Sequence, residues 1–244
     1  MAPRSRLQFN NVLLSKLTAD DVACLQPFER AQLARDQVLV DPHTPIASVF
    51  FLESGIASVH EVLRDGSRVG VGIIGFEGMT GWSVLLGCDR SPHEAIIAIG
   101  GGGALSIPTE RLLRACSDRP GLNALFLRYV QYFMSQMART ITSNLRDPIE
   151  RRLARWLLMN HDRLGGDEIH LTHDQLGVML GVRRASVTDT LHILEGERLI
   201  RSTRGVIVIS DRPGLEAFAG ETYGVAEAEY VRVIGPFAGL GAVH

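Results

Sequence analysis

Lysine is nearly missing from this chain: Lys16 is the only one among 25 basic residues. We ascribe that to genome composition, since arginine fills every other basic position. Cysteine is scarce too. Cys24, Cys88 and Cys116 are odd in number and scattered; they do not make a disulfide framework and fall short of the four thiolates of an iron–sulfur cluster. Three lone thiols suit a reducing cytoplasm. No apolar run is long enough to span a bilayer. The N-terminal MAPRSRLQFNNVLLSKL is broken by Asn10 and Asn11, where a signal peptide needs an apolar core. Excess positive charge is lacking: the net charge is −2 and the pI about 6.4. Even Ile149–Ala219 holds ten arginines against ten acidic residues. Binding to nucleic acid through global charge is thereby excluded, and a local patch has to supply the attraction. The eight histidines contain no His-x-His with a later glutamate, as a metal enzyme on a β-roll would want. With no catalytic cluster, the expectation is a protein that is not an enzyme and has no identified cofactor.

What is there is organised around Leu171–Ile200, LTHDQLGVMLGVRRASVTDTLHILEGERLI. Thr172 is a natural N-cap for a first helix. Leu176, Met179 and Leu180 fall on one face at helical spacing, and Gly181-Val182 breaks the pattern as a helix-turn-helix does. A second helix starts near Arg183. Val187, Leu191 and Leu194 make its buried stripe, and Ala185, Thr188, Asp189 and His192 its opposite face. Arg183, Arg184 and Ser186 sit at its N-terminal end, where a helix entering the major groove needs arginine to fork onto guanine. Leu199–Ile209 follows as a β-hairpin wing with a basic turn at Gly205, placing Arg201 and Arg204 beside a phosphate backbone. Thr172 and His173, at the start of the first helix, complete the DNA-facing set.

Upstream, residues 1 to about 30 read as a helical lead-in with a cap at Thr18. Residues 36–108 read as short strands: Val49–Leu52, Ile56–Leu63 and Val69–Ile74, with a hairpin turn at Asp65-Gly66. Gly100–Gly103 reads as a turn before a last strand, Ala104–Ile107. Many short strands with glycine turns predict a β-roll or barrel. Residues 121–146 form one long helical pattern. In it Leu127, Val130, Met134, Met137, Ile141 and Asn144 step by alternating threes and fours, a heptad seam that predicts a parallel dimer helix and a palindromic site. Asp147-Pro148 ends it and caps the next helix, whose buried face is Ile149, Leu153, Trp156 and Leu157 and whose end is Gly165-Gly166.

The helix-turn-helix and wing resemble the DNA-binding domain of the Crp/Fnr family of bacterial transcription regulators. The resemblance covers roughly Asp20–Ala219. It implies an α+β chain: an effector β-roll of the cyclic-nucleotide-binding type over 1–118, a dimerisation helix over 119–147, and a winged helix-turn-helix over 148–219. A tail over 220–244 remains unassigned. It also implies a homodimer on double-stranded DNA, RNA polymerase as partner, no membrane association and a cytoplasmic location. In cyclic-AMP-binding members a Gly-Glu pair precedes an Arg-Ser-Ala run, whose arginine neutralises the phosphate. The matching stretches here are Gly75, Glu77, Gly78 and Met79, then His93, Glu94 and Ala95. A carboxylate beside a phosphate is repulsive and a neutral histidine replaces a guanidinium poorly. The effector is therefore expected not to be cyclic AMP; a ligand-independent regulator with an empty roll, or remotely a small-molecule-binding β-roll enzyme, is the alternative. On the recognition helix the family's first arginine is kept as Arg184, whereas Ala185 and Asp189 replace its glutamate and second arginine. Ala185 can meet a thymine methyl, and Asp189 can accept from cytosine N4 or merely pair with a nearby arginine.

Overall fold

The computed structural model describes residues 8–100 and 102–237. The lead-in is two short helices, α1 (Val12–Ser15) and α2 (Ala19–Leu25). Asn11 caps α1 through its oxygen, while its amide nitrogen donates to Leu52 O and Gly78 O, each at 2.8 Å. Thr18 and Asp21 form a reciprocal capping box on α2. Seven strands follow: β1 (Glu29–Leu33), β2 (Val38–Val40), β3 (Ser48–Leu52), β4 (Ile56–Val62), β5 (Arg68–Ile74), β6 (His93–Ile99) and β7 (Gly102–Pro108). They make two antiparallel sheets, ordered β1-β7-β3 and β2-β6-β4-β5. The turn expected at Gly100–Gly103 is shorter than its glycines suggest. Gly102 and Gly103 already pair with Leu33 and Gln32 of β1.

Helix α3 (Thr109–Asp118) leads into α4 (Pro120–Arg146), 27 residues long. A proline fits the first turn of α4, where its missing N–H is not needed. Asp147 leaves the helix in extended conformation, as the residue before Pro148 must. The next helix, α5, is Ile149–His161, so Pro148 sits at its N-cap. The Asp147 carboxylate does not cap α5; it accepts from Ser143 Oγ at 2.7 Å and Thr222 Oγ1 at 2.8 Å. The eight residues Leu153–Asn160 of α5 are all buried, not only the expected stripe. A helix buried all round has neighbours on every side. It ends at His161, before Gly165-Gly166.

The C-terminal module contains β8 (Glu168–Ile169), α6 (His173–Leu180), α7 (Arg184–Gly196), β9 (Ile200–Thr203), β10 (Val206–Ile209) and α8 (Arg212–Ala219). Its sheet is ordered β8-β10-β9. A last helix, α9 (Val225–Val233), returns to pack along α4. Two apolar cores result. One fills the roll and takes in Phe126, Tyr129 and Phe133 of α4. The other lies under the helix-turn-helix, yet contains Ile56, Ile73, Ala98 and Ile99 from the outer face of the roll's larger sheet. The sheet and α6 meet closely: a Cβ on Gly70 would stand 2.8 Å from Met179 O. Arg35 Nη2 donates to His170 O at 2.9 Å and Gln175 Nε2 to Ala98 O at 3.2 Å across the same joint.

The expected seam on α4 divides. Leu127, Met134 and Ile141 face outward, 37%, 54% and 59% exposed. Val130 is buried in the chain's own core, and Met137 and Asn144 are half-buried. The outward row instead continues through Ala138 to Leu145, which is 80% exposed.

Candidate nucleic-acid interface

Local chemistry builds the helix pair. Thr172 Oγ1 accepts from Gln175 N at 3.2 Å, and Thr172 N donates to Gln175 Oε1 at 2.9 Å, closing a capping box on α6. Gly181 ends α6 with φ +64°, a left-handed turn that glycine makes without strain. Arg152 of α5 donates to Leu180 O and so secures that turn from below. Val187, Leu191 and Leu194 are 1% exposed or less and clamp α7 onto the module's core. With that face fixed, Arg184, Ala185, Asp189 and His192 point to solvent, and Arg183 is exposed just before the helix. Ser186 and Thr188 are half-buried. The Thr188 hydroxyl is engaged: it lies 2.9 Å from His173 Nδ1 and 3.3 Å from Arg184 O, which accepts from it. Arg184 lies 3.9 Å from Asp174, with both side chains about 70% exposed. A pair that long and that wet is weak, so the guanidinium is free to extend. Among the described residues Asp189 makes no ion pair.

The wing is the hairpin β9–β10, turned at Arg204-Gly205. Glu195 Oε1 of α7 accepts from Ser202 N at 2.6 Å and ties the hairpin to α7. Arg201 and Arg204 are exposed. Thr172, His173, Arg184, Thr188, His192 and Arg204 line one open groove of about 620 Å³ between α6, α7 and the wing. Arg183, Ala185, Ser186, Asp189 and Arg201 lie outside its lining. The module's balanced charge is unevenly spent. Arg163 and Arg212 pair inward with Glu77 and Asp162, and Arg155 is buried. Arg183, Arg184, Arg201 and Arg204 stay exposed around α7 and the wing, with Asp174 and Glu195 among the groove's lining.

The positions expected to form an effector pocket do not come together. Side chains on β6 alternate between faces. His93 and Ala95 look into the roll, and Glu94 looks out toward the helix-turn-helix joint. There Glu94 receives Arg68 Nε at 2.6 Å and Arg68 Nη2 at 2.9 Å. His60, opposite Glu94 on β4, has Nδ1 3.7 Å from the same carboxylate and Nε2 2.8 Å from Ser58 Oγ. Burial, offset in part by Glu94, depresses the His60 pKa to about 4. Glu77 is fully buried behind the roll: it accepts from Arg163 Nε at 2.8 Å and from Gly75 N at 2.9 Å. Gly78 packs on the Tyr129 ring, and Met79 is buried. A cavity in the roll, lined by Val40, Val59, Ile74, Trp82, His93 and Ala95 among others, holds only about 10 Å³. One water needs about 10–15 Å³, and pockets for small ligands run to hundreds. Half-buried Trp82, 5.5 Å from the Phe133 ring, forms one wall of the cavity. Arg68, Arg163 and His60 escaped the sequence reading. Their partners are 26, 86 and 34 residues away, and no local pattern marks such pairs.

A double-sheeted roll, a long helix and a winged helix make up an architecture also seen in solved Crp/Fnr-family structures. Residues 151–218 match the Crp-like helix-turn-helix domain. Among solved structures the chain is similar to a Crp/Fnr-family transcriptional regulator from Eubacterium rectale, at 19% identity and TM-score 0.64 over 85% of this chain and 97% of that one. It is similar to FixK2 from Bradyrhizobium japonicum at 16% identity and TM-score 0.69, covering 79% and 98%. It is likewise similar to the c-di-GMP-responsive global regulator CLP of Xanthomonas campestris, at 16% and TM-score 0.64, covering 79% and 99%. At these identities the likeness is one of fold. No curated protein matches the chain. No helix among the described residues is long and apolar enough to cross a membrane.

Proposed function

We propose that this protein is a homodimeric, sequence-specific DNA-binding regulator of transcription. Its organisation would be a roll over 1–118, a dimer helix over 119–147 and a reading module over 148–219, in the cytoplasm and in contact with RNA polymerase. The observation that carries the reading is the face of α7. Arg184, Ala185, Asp189 and His192 stand clear of the protein, flanked by Arg183 and by Arg201 and Arg204 on the wing. Arg184 takes a guanine through O6 and N7, Ala185 a thymine methyl, and Asp189 a cytosine N4. The unpaired state of Asp189 supports base contact over bracing. Arg201 and Arg204 hold phosphates. The exposed row Leu127, Met134, Ala138, Ile141, Leu145 supports dimerisation, since it runs about 27 Å along one helix face at 1.5 Å per residue.

Binding-site selection on the wild type and Arg184→Ala tests this. The variant should lose about 1–3 kcal/mol per half-site and relax at one base. An unchanged preferred sequence with a lowered melting temperature would reduce Arg184 to a brace. The closed roll favours a second reading within the same class: a regulator that binds its operator without any ligand in the roll.

A further inference from the structure

Residues 220–237 lie beyond the winged helix and touch the roll, α4 and α5. Thr222 Oγ1 donates to Asp147, the residue between α4 and α5. Tyr230, fully buried, donates from its hydroxyl to Glu77 O at 2.7 Å and packs edge-on against Tyr132 of α4 at 4.8 Å. Phe237 stands 5.0 Å from the Tyr230 ring and 5.5 Å from Phe76 of the roll. Arg128 of α4 donates to Val233 O at 3.3 Å.

Charge makes the segment more than filler. At the meeting point of roll, α4 and α5 lie three buried or half-buried arginines, Arg155, Arg163 and Arg212. Arg163 is matched by Glu77 and Arg212 by Asp162. Arg155 donates only to neutral oxygens: Thr222 O at 3.0 Å, Thr140 Oγ1 at 3.2 Å and Gln136 O at 3.4 Å. Glu227 of α9, 3% exposed, accepts from Gly224 N at 3.1 Å through one oxygen, its other oxygen has no hydrogen-bond partner among the described residues, and of the carboxylates around Arg155 it acts on that guanidinium most strongly. Without Glu227 the buried Arg155 would keep only Asp147, which acts on it more weakly and already accepts two hydroxyls, and a protein interior tolerates an under-compensated cation poorly.

We propose that residues 220–237 are an intramolecular clasp that fixes the orientation of the DNA-reading module on the roll, with Glu227 as the counter-charge to Arg155. The clasp reaches the meeting point of roll, α4 and α5 at three places: Asp147, the backbone of Glu77 in the Arg163–Glu77 pair, and the aromatic stack. A dimer that must present two recognition helices at one spacing gains from a fixed joint, because each unfixed module has to be ordered when it binds. This consequence rests on the DNA-binding reading; the clasp itself does not.

Hydrogen exchange on the full chain, on a chain stopped after Tyr223, and on Glu227→Gln tests the clasp without DNA. Glu227→Gln keeps the shape and removes only the charge. Both variants should lose protection at least about tenfold in Gly75–Met79 and Met159–Leu164, while the wing and β3 keep theirs. Unchanged protection in those two stretches overturns the proposal. If the shortened chain does not fold, Glu227→Gln alone decides, and a uniform loss of protection in it would mean general stabilisation and overturn the clasp equally. In a gel shift, Glu227→Gln should bind the selected operator about tenfold more weakly and random DNA as before, because non-specific binding needs phosphate contacts only. Lost protection with full operator affinity would refute the orienting role. A wild type that retards no operator would refute the DNA-binding reading and leave the exchange result standing.

Discussion

His60, Glu94 and Arg68 show how one residue's environment becomes a property of the joint. His60 is held neutral because burial penalises its charged form, and Arg68 on the same carboxylate adds to that. Its folded pKa of about 4 lies below the unfolded 6.5, so the unfolded chain takes up a proton first as pH falls. The stability His60 contributes is complete above pH 6.5 and is lost on the way down to 4, by up to about 3 kcal/mol. Asp162 works the other way. Burial raises its carboxyl to about 6, so its contribution is greatest at low pH and fades as pH rises through that value. The two overlap between pH 4 and 6, and only a difference separates them. Thermal melts of wild type and His60→Asn from pH 7.5 to 4.5 should show a shallower acid decline in the variant; parallel curves would place the His60 shift elsewhere than in folding.

At the scale of elements, α4 carries two duties on two faces. Phe126, Tyr129, Val130 and Phe133 serve the chain's own core, while Leu127, Met134, Ile141 and Leu145 lie outside both core clusters of the described residues. Met134→Glu with Ile141→Glu therefore leaves the folded chain intact and sets like charges against each other across a dimer. Sedimentation should give monomers that no longer retard operator DNA; a dimer of the double variant would rule this face out. The same helix shows what the sequence makes legible. A seam of threes and fours is visible in it, but the spacing alone does not tell that Val130 is consumed internally and that Leu145 extends the outer row. The helix-turn-helix and wing were readable almost residue by residue. Thr172, Gly181 and Gly205 act on neighbours a few positions away, and their chemistry is local. The effector positions were not. Family correspondence put Glu77 and Glu94 in one pocket, whereas strand alternation turns Glu94 out to Arg68 and a distant arginine, Arg163, holds Glu77 behind the roll. Nothing local in Gly220–Phe237 announces α9, whose partners lie on α4 and the roll.

For the whole molecule, the closed roll sets an expectation for ligands. A compound present at about a hundred times its Kd stabilises by about 2.7 kcal/mol, or roughly 5 °C or more for a chain of this size. Cyclic AMP at 1 mM should leave the melting temperature where it is, because about 10 Å³ and a histidine stand where hundreds of cubic ångströms and an arginine are needed. A saturable rise of several degrees would show that Trp82 can leave the interior.

The core beneath the helix-turn-helix borrows Ile56, Ile73, Ala98 and Ile99 from the roll, and that loan has a history each time the chain is made. The roll leaves the ribosome first. Its outer sheet then waits, greasy side bare, until Leu194, Ile207 and Leu215 emerge about a hundred residues after Ala98. At about 5–20 residues per second the wait is on the order of ten seconds. A nascent roll in that interval is a natural client for chaperones, and a chain truncated at Asp147 would remain one permanently.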